Sequence, residues 1–324
     1  MEAESKGAIA TGALLAGFVG MDAPALARSA WQLAMAPLIG LAAALGALTA
    51  DSAPLAVASL AVVGTLAGYC VSVSLRFGIA GLNVALSLLI AQGLPIDAGD
   101  AAAALLFGTL GGIAQSAFSF AVFAGGERRR DEGGNRWNGT AAIAALRANL
   151  TPRSESFQHG LRLGLALGAG VAAYWLLGFS EHGFWIPLTV LFVLRPDYDT
   201  TFDRLVLRAV GTLIGLVIAT ALSEWLAGDG VAIAIVLTVA TGLAYGLLTV
   251  QYALFTLAIT TYAVLLADTL GGPALEDAVR RGVATLIGIA ITLVLFLFWP
   301  TPEGADSGRR KFVTWTRARR FRSP

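Results

Sequence analysis

Residues 184–208 read FWIPLTVLFVLRPDYDTTFDRLVLR. An apolar run stops at Arg195-Pro196-Asp197, Asp199, Asp203, Arg204 and Arg208 follow, and a second apolar run begins. Pro196 lacks an N–H and disfavours helix at Arg195, so the chain turns there. Asp203 or Thr201 is placed to cap the next helix by accepting its free N–H groups. Arg204 and Arg208 lie four apart and share one face of that helix. A cation at a helix start opposes the dipole, so Arg204 needs an offset, for which Asp197, Asp199 and Asp203 are the local candidates. Chemistry alone makes this a capped turn on the cytoplasmic side. Three arginines beside a membrane also make it a candidate mouth for an anion.

Composition sets the surroundings of that turn. The 324 residues are 56% hydrophobic and only 13% charged, and the mean hydropathy is +0.74. A soluble domain carries about 25% charge. Long apolar stretches with few charges predict an all-α, polytopic transmembrane bundle. Hydropathy gives about 11 spans, near 7–20, 31–50, 53–72, 77–94, 101–124, 160–179, 184–195, 205–226, 231–249, 252–269 and 281–299. With residues 125–159 cytoplasmic, all of the 22 Lys and Arg residues except Lys6, Arg280 and Arg281 fall on that side. Asp51, Asp97, Asp100, Glu181, Asp229, Glu276 and Asp277 collect on the other. This positive-inside asymmetry places the C-terminus in the cytoplasm, below a membrane that the chain crosses many times. The start, MEAESKGAIATGALLAGF, has acidic residues where a cleavable signal carries positive ones.

The two halves resemble each other at an offset of about 175 residues, which predicts a parallel repeat. Asp22 to Gly40 is matched by Asp197 to Gly215, and both stretches run on through Leu-Ile-Gly-Leu. Thr109 to Ala114 matches Thr285 to Ala290, and Tyr69 matches Tyr245. The expected organisation is a first repeat of about five helices over 1–124, a cytoplasmic linker over 125–159, a second repeat of six over 160–300 and a basic tail over 301–324. Mapping 160–179 back by the repeat offset lands before Met1, so the first repeat is expected to lack its first helix. Glycine pairs four apart, Gly64/Gly68, Gly108/Gly112, Gly164/Gly168, Gly211/Gly215 and Gly242/Gly246, are expected to let helix backbones approach closely.

Several classes of chemistry find no support. Cys70 is the single cysteine, and His159 and His182 lack metal-ligand spacing. There is no P-loop, nucleophile elbow or HExxH, so we expect neither an enzyme nor a cofactor nor a metal. The tail RRKFVTWTRARRFRSP is expected to rest on anionic lipid and not on nucleic acid.

The stretch from Trp185 to Gly215 resembles the signature of the fusaric acid resistance protein-like (FUSC) family. Its matching positions are Trp185, Leu188, Thr189, Val190, Arg195, Pro196, Asp197, Thr200 or Thr201, Arg204, Arg208, Gly211, Thr212, Leu213 and Gly215. The family includes aromatic carboxylic acid exporters of bacterial inner membranes and is similar to the plant aluminium-activated malate transporters. The resemblance implies efflux of small organic anions, with Arg195, Asp197, Arg204, Arg208, Trp185 and Thr189 binding the substrate. It also implies a homo-oligomer or a periplasmic adaptor as partner. A passive anion channel and a non-transporting scaffold are the alternatives. Many family members carry a large cytoplasmic domain between the repeats, whereas the linker here has only about 35 residues.

Overall fold

The structure is a computed structural model that describes residues 2–21, 23–93, 98–123, 139–179, 184–196, 198–226, 229–247, 250–269 and 274–299. Among these residues the chain is entirely helical: α1 (Glu2–Gly17), α2 (Ala25–Thr49), α3 (Ala53–Tyr69), α4 (Leu75–Gly93), α5 (Ala101–Phe123), α6 (Gly139–Asn149), α7 (Glu155–Leu176), α8 (Trp185–Val193), α9 (Tyr198–Trp225), α10 (Gly230–Leu247), α11 (Tyr252–Thr269) and α12 (Ala274–Phe298). Each expected span coincides with a helix. Seven helical segments are long and apolar enough to cross a membrane: α2, α3 with the short turn after it, α4, α5 with the short turn before it, and most or all of α9, α10 and α12. The chain is a multi-pass α-helical membrane protein.

One expected span behaves differently. The 9 residues of α8 extend about 14 Å at 1.5 Å per residue, roughly half of a bilayer core. Ile186, Leu188, Val190, Leu191, Val193 and Leu194 are all buried. This apolar run is therefore protein interior and not a lipid-facing crossing. Hydropathy cannot separate the two, because both environments favour the same side chains.

The chain forms two compact units, residues 1–191 and 192–324. In the first, α2 packs on α5 and α4, α1 lies on α5, and α3 is sandwiched by α7 and α4. Glycines make the tightest approaches. A Cβ on Gly68 would lie 2.8 Å from the Gly160 Cα, and one on Gly160 would lie 2.6 Å from the Thr65 carbonyl oxygen. The α3–α7 pair thus needs backbone against backbone. The expected linker contains α6, which the Tyr69 hydroxyl reaches by donating to the Leu146 carbonyl.

A buried amide ties α4 to α2 and α3. The Gln92 Nε2 lies 2.9 Å from Thr49 Oγ1 and 2.9 Å from Ser59 Oγ, with the Ala56 carbonyl at 3.3 Å. Ser87 donates to the Ile39 carbonyl at 2.8 Å, and Ser116 to the Ser29 carbonyl at 2.8 Å. Such bonds supply directional contacts where lipid provides no hydrophobic contrast between helices.

In the second unit α9 packs chiefly on α11, with α10 on α11 and α12 on α9. Gly211 and Gly215 admit Thr256 and Thr260: added Cβ atoms would lie 2.8 Å and 2.9 Å from those threonine Cβ atoms. Gly242 and Gly246 differ from expectation. Nothing lies within 4 Å of a Cβ built on either, because α10 turns Ala240 and Ala244 inward and not its glycines. The two units also pair their helices differently. Gly40 of α2 abuts Leu105 and Thr109 of α5, whereas its sequence counterpart Gly215 abuts Leu257 and Thr260 of α11.

Candidate functional site

The Thr201 hydroxyl ties the turn after α8. Thr201 Oγ1 accepts from the Arg195 N–H at 2.9 Å and donates to the Arg195 carbonyl at 3.3 Å. The expected cap is thereby corrected. α9 begins at Tyr198, so Thr201 and Asp203 lie inside it and neither serves as its N-cap. The hydropathic span starts near 205 because it marks the lipid-buried part of the helix, not its first turn. Thr201 is 1% exposed and fixes the chain reversal, while Asp203 is exposed.

Arg204 projects from the second turn of α9. Its guanidinium carbon stands 4.5 Å from the Tyr252 ring centroid. Its Nη1 donates to the Phe192 carbonyl at 3.5 Å, and the Tyr252 hydroxyl donates to that same carbonyl at 3.3 Å. Phe192 is in the last turn of α8, where carbonyls lack helical partners. The offset that Arg204 needs therefore comes from the negative end of α8 and the face of a tyrosine. Among the described residues no carboxylate supplies it.

One turn on, Arg208 is 2% exposed. Its guanidinium carbon lies 5.3 Å from the Phe192 ring centroid. Phe192 in turn packs on Phe255 with ring centroids 5.8 Å apart. The cluster beneath it is Ala244, Tyr252, Phe255 and Ala258. Two arginines thus flank one phenylalanine, both steadied by aromatic faces.

The other expected site residues distribute as follows. Arg195 joins Arg204 and Arg208 in the second unit, half-buried. Trp185 and Thr189 lie in the first unit on α8. Thr189 is fully buried and donates to the Trp185 carbonyl at 2.9 Å, so its proton is used within its own helix. Trp185 is half-buried with its ring 4.4 Å from that of Phe184. Asp197 lies outside the described residues, as does the side chain of Asp199.

Sequence reasoning missed Arg281. An exception to the charge asymmetry, it stands at the first residue of the span expected over 281–299. It lies inside α12, 3% exposed, with Nη2 donating to Thr260 Oγ1 at 3.5 Å. An arginine within an apolar helix is the signal that pointed to it, since membrane-embedded charges face protein or water. Among the described residues no group of three or more His, Cys, Asp or Glu is placed to hold a metal ion.

This geometry falls within a segment that comparisons recognise. Residues 165–295 match the family model described as fusaric acid resistance protein-like. The inner membrane protein YccS of Escherichia coli (strain K12) is 40% identical over 158 residues, covering 48% of this chain and 21% of that protein. An uncharacterized protein of Synechocystis is 36% identical over 162 residues, covering 46% of this chain and 20% of its own length. Protein ORF2 of Neisseria gonorrhoeae is 28% identical over 157 residues, 48% of this chain and 37% of that one. No solved structure matches. The match spans about a fifth of the length of the first two relatives. Over residues 165–295 the chain thus resembles fusaric acid resistance protein-like membrane proteins, YccS among them.

Proposed function

We propose that the chain is the membrane-spanning part of an inner-membrane transporter that exports small organic anions, aromatic carboxylic acids being the class. The observation that carries this reading is the pair Arg204 and Arg208, on successive turns of α9 and set against Tyr252 and Phe192 at 4.5 Å and 5.3 Å. A guanidinium held by a ring keeps its charge and most of its N–H donors, which match a carboxylate bidentately. The basic turn faces the cytoplasm, so an exported acid meets Arg195 and Arg204 first and Arg208 one turn further along α9. The family match over 165–295 supports the reading. A homo-oligomer or a periplasmic adaptor is the partner this reading entails.

The test is intracellular accumulation of a panel of aromatic carboxylates in cells with and without the protein. Lower accumulation of at least one acid, restored by Arg204→Gln in a protein that still reaches the membrane, is the expected result. Equal accumulation of every acid overturns the export reading.

A further inference from the structure

Beyond Arg204 the second unit holds a buried polar core. At one level of the bundle, α9 contributes Arg208 and Thr212, α11 contributes Thr256 and Thr260, and α12 contributes Arg281 and Thr285, all buried. The three helices converge there. Gly215 abuts Thr260, and a Cβ on Gly282 would lie 3.3 Å from Leu216 Cδ1. Thr256 and Thr285 spend their protons on their own helices, donating at 2.9 Å to the Tyr252 and Arg281 carbonyls. Thr212 does not: its Oγ1 is buried with no hydrogen-bond partner, as are Nε and Nη1 of Arg208. Arg208 and Thr212 are four apart on α9, so the orphaned donors share one face.

The charges compound the problem. Arginine does not deprotonate in proteins, and Arg208 and Arg281 lie within electrostatic reach of each other. Arg208, with Nε and Nη1 unspent beside a second buried guanidinium, forms an environment that a negative charge relieves. Thr260, 0% exposed, already accepts from Arg281 and holds that guanidinium in place.

We propose that Arg208, Thr212, Arg281 and Thr260 form an intramembrane binding site for one compact anionic group, either the carboxylate of a transported acid or a free inorganic anion. The site deepens the export reading, on which it rests for the choice of an aromatic carboxylate as probe. An acid leaving the Arg204 mouth finds its next cation one turn along α9. Arg208 serves both positions, and Arg281 and Thr212 belong to the inner one.

The experiment uses the whole chain in nanodiscs of phosphatidylcholine, in gluconate buffer and without any gradient. Benzoate and chloride are titrated separately, and the unfolding temperature is read. Wild-type protein shows a saturable rise with benzoate, with chloride or with both. Benzoate alone identifies the carboxylate as occupant; chloride alone identifies an inorganic anion. Arg281→Gln and Thr212→Val each weaken the binding, Arg281→Gln by about tenfold to a hundredfold, as expected for a lost charged hydrogen bond. Should Arg281→Gln fail to fold, Arg281→Lys together with Thr212→Val carries the test, with partial retention in the lysine variant. No saturable rise with either anion overturns the site, and so does unchanged affinity in the variants. Failed binding with export intact in cells removes this site and leaves the function. Intact binding without export removes the function and leaves the site.

Discussion

Thr201 holds Arg195 at both ends of its peptide unit, accepting from the N–H at 2.9 Å and donating to the carbonyl at 3.3 Å. A single buried hydroxyl thereby closes the reversal between α8 and α9. Thr201→Val keeps the shape and removes both bonds. Each backbone group left unsatisfied costs about 1–3 kcal/mol, so thermal unfolding in detergent should fall clearly. Thr201→Ser should restore most of the loss. A valine variant as stable as wild type would show that the reversal does not depend on this hydroxyl.

Tyr252 has two roles that substitutions separate. Tyr252→Phe keeps the ring under Arg204 and loses only the bond to the Phe192 carbonyl, so efflux should change little. Tyr252→Leu removes the ring face, whose attraction for a guanidinium is about 0.5–2 kcal/mol. Efflux should then fall several-fold. Measuring export by both variants at equal membrane levels checks this, and equal activity of the two would deny the ring a part in positioning Arg204.

The glycine pairs predict opposite outcomes on two helices. Gly68→Ala sets a methyl 2.8 Å from the Gly160 Cα, an overpacking worth about 1–3 kcal/mol of destabilisation. Gly242→Ala meets nothing within 4 Å and should be neutral or mildly stabilising, by up to about 1 kcal/mol from helix propensity. Unfolding temperatures of the two variants decide it. Equal effects would refute the glycine packing of α3 on α7.

Much of the architecture was legible because lipid makes hydropathy a direct readout of helices. Ser52, Asp51 and Pro54 mark a turn as plainly in the sequence as between α2 and α3 in the structure. The nature of α8 was not legible, because Ile186, Val190 and Val193 look the same whether they face lipid or protein. The start of α9 was misplaced since Tyr198 to Arg204 are polar yet helical. Arg195, Arg204 and Arg208 were found from charge alone. Their partners Phe192 and Tyr252 were not, because Tyr252 is separated from Arg204 by two helices' worth of chain. That Thr212 and Arg281 share one polar core became visible only when three helices were brought together.

The charge asymmetry predicts topology. A cysteine introduced after residue 300 should react with a membrane-impermeant maleimide only after the cells are opened. Labelling of intact cells would reverse the orientation, and with it the direction in which the Arg204 mouth faces.

Transport by the arginine cluster is tested most directly by counterflow of radiolabelled benzoate in proteoliposomes containing the purified chain. Wild-type protein should accumulate label transiently when the vesicles are preloaded with unlabelled benzoate. Arg204→Gln, incorporated to the same level, should show no more than empty vesicles. Counterflow that is absent from wild type, or undiminished in Arg204→Gln, would contradict the account.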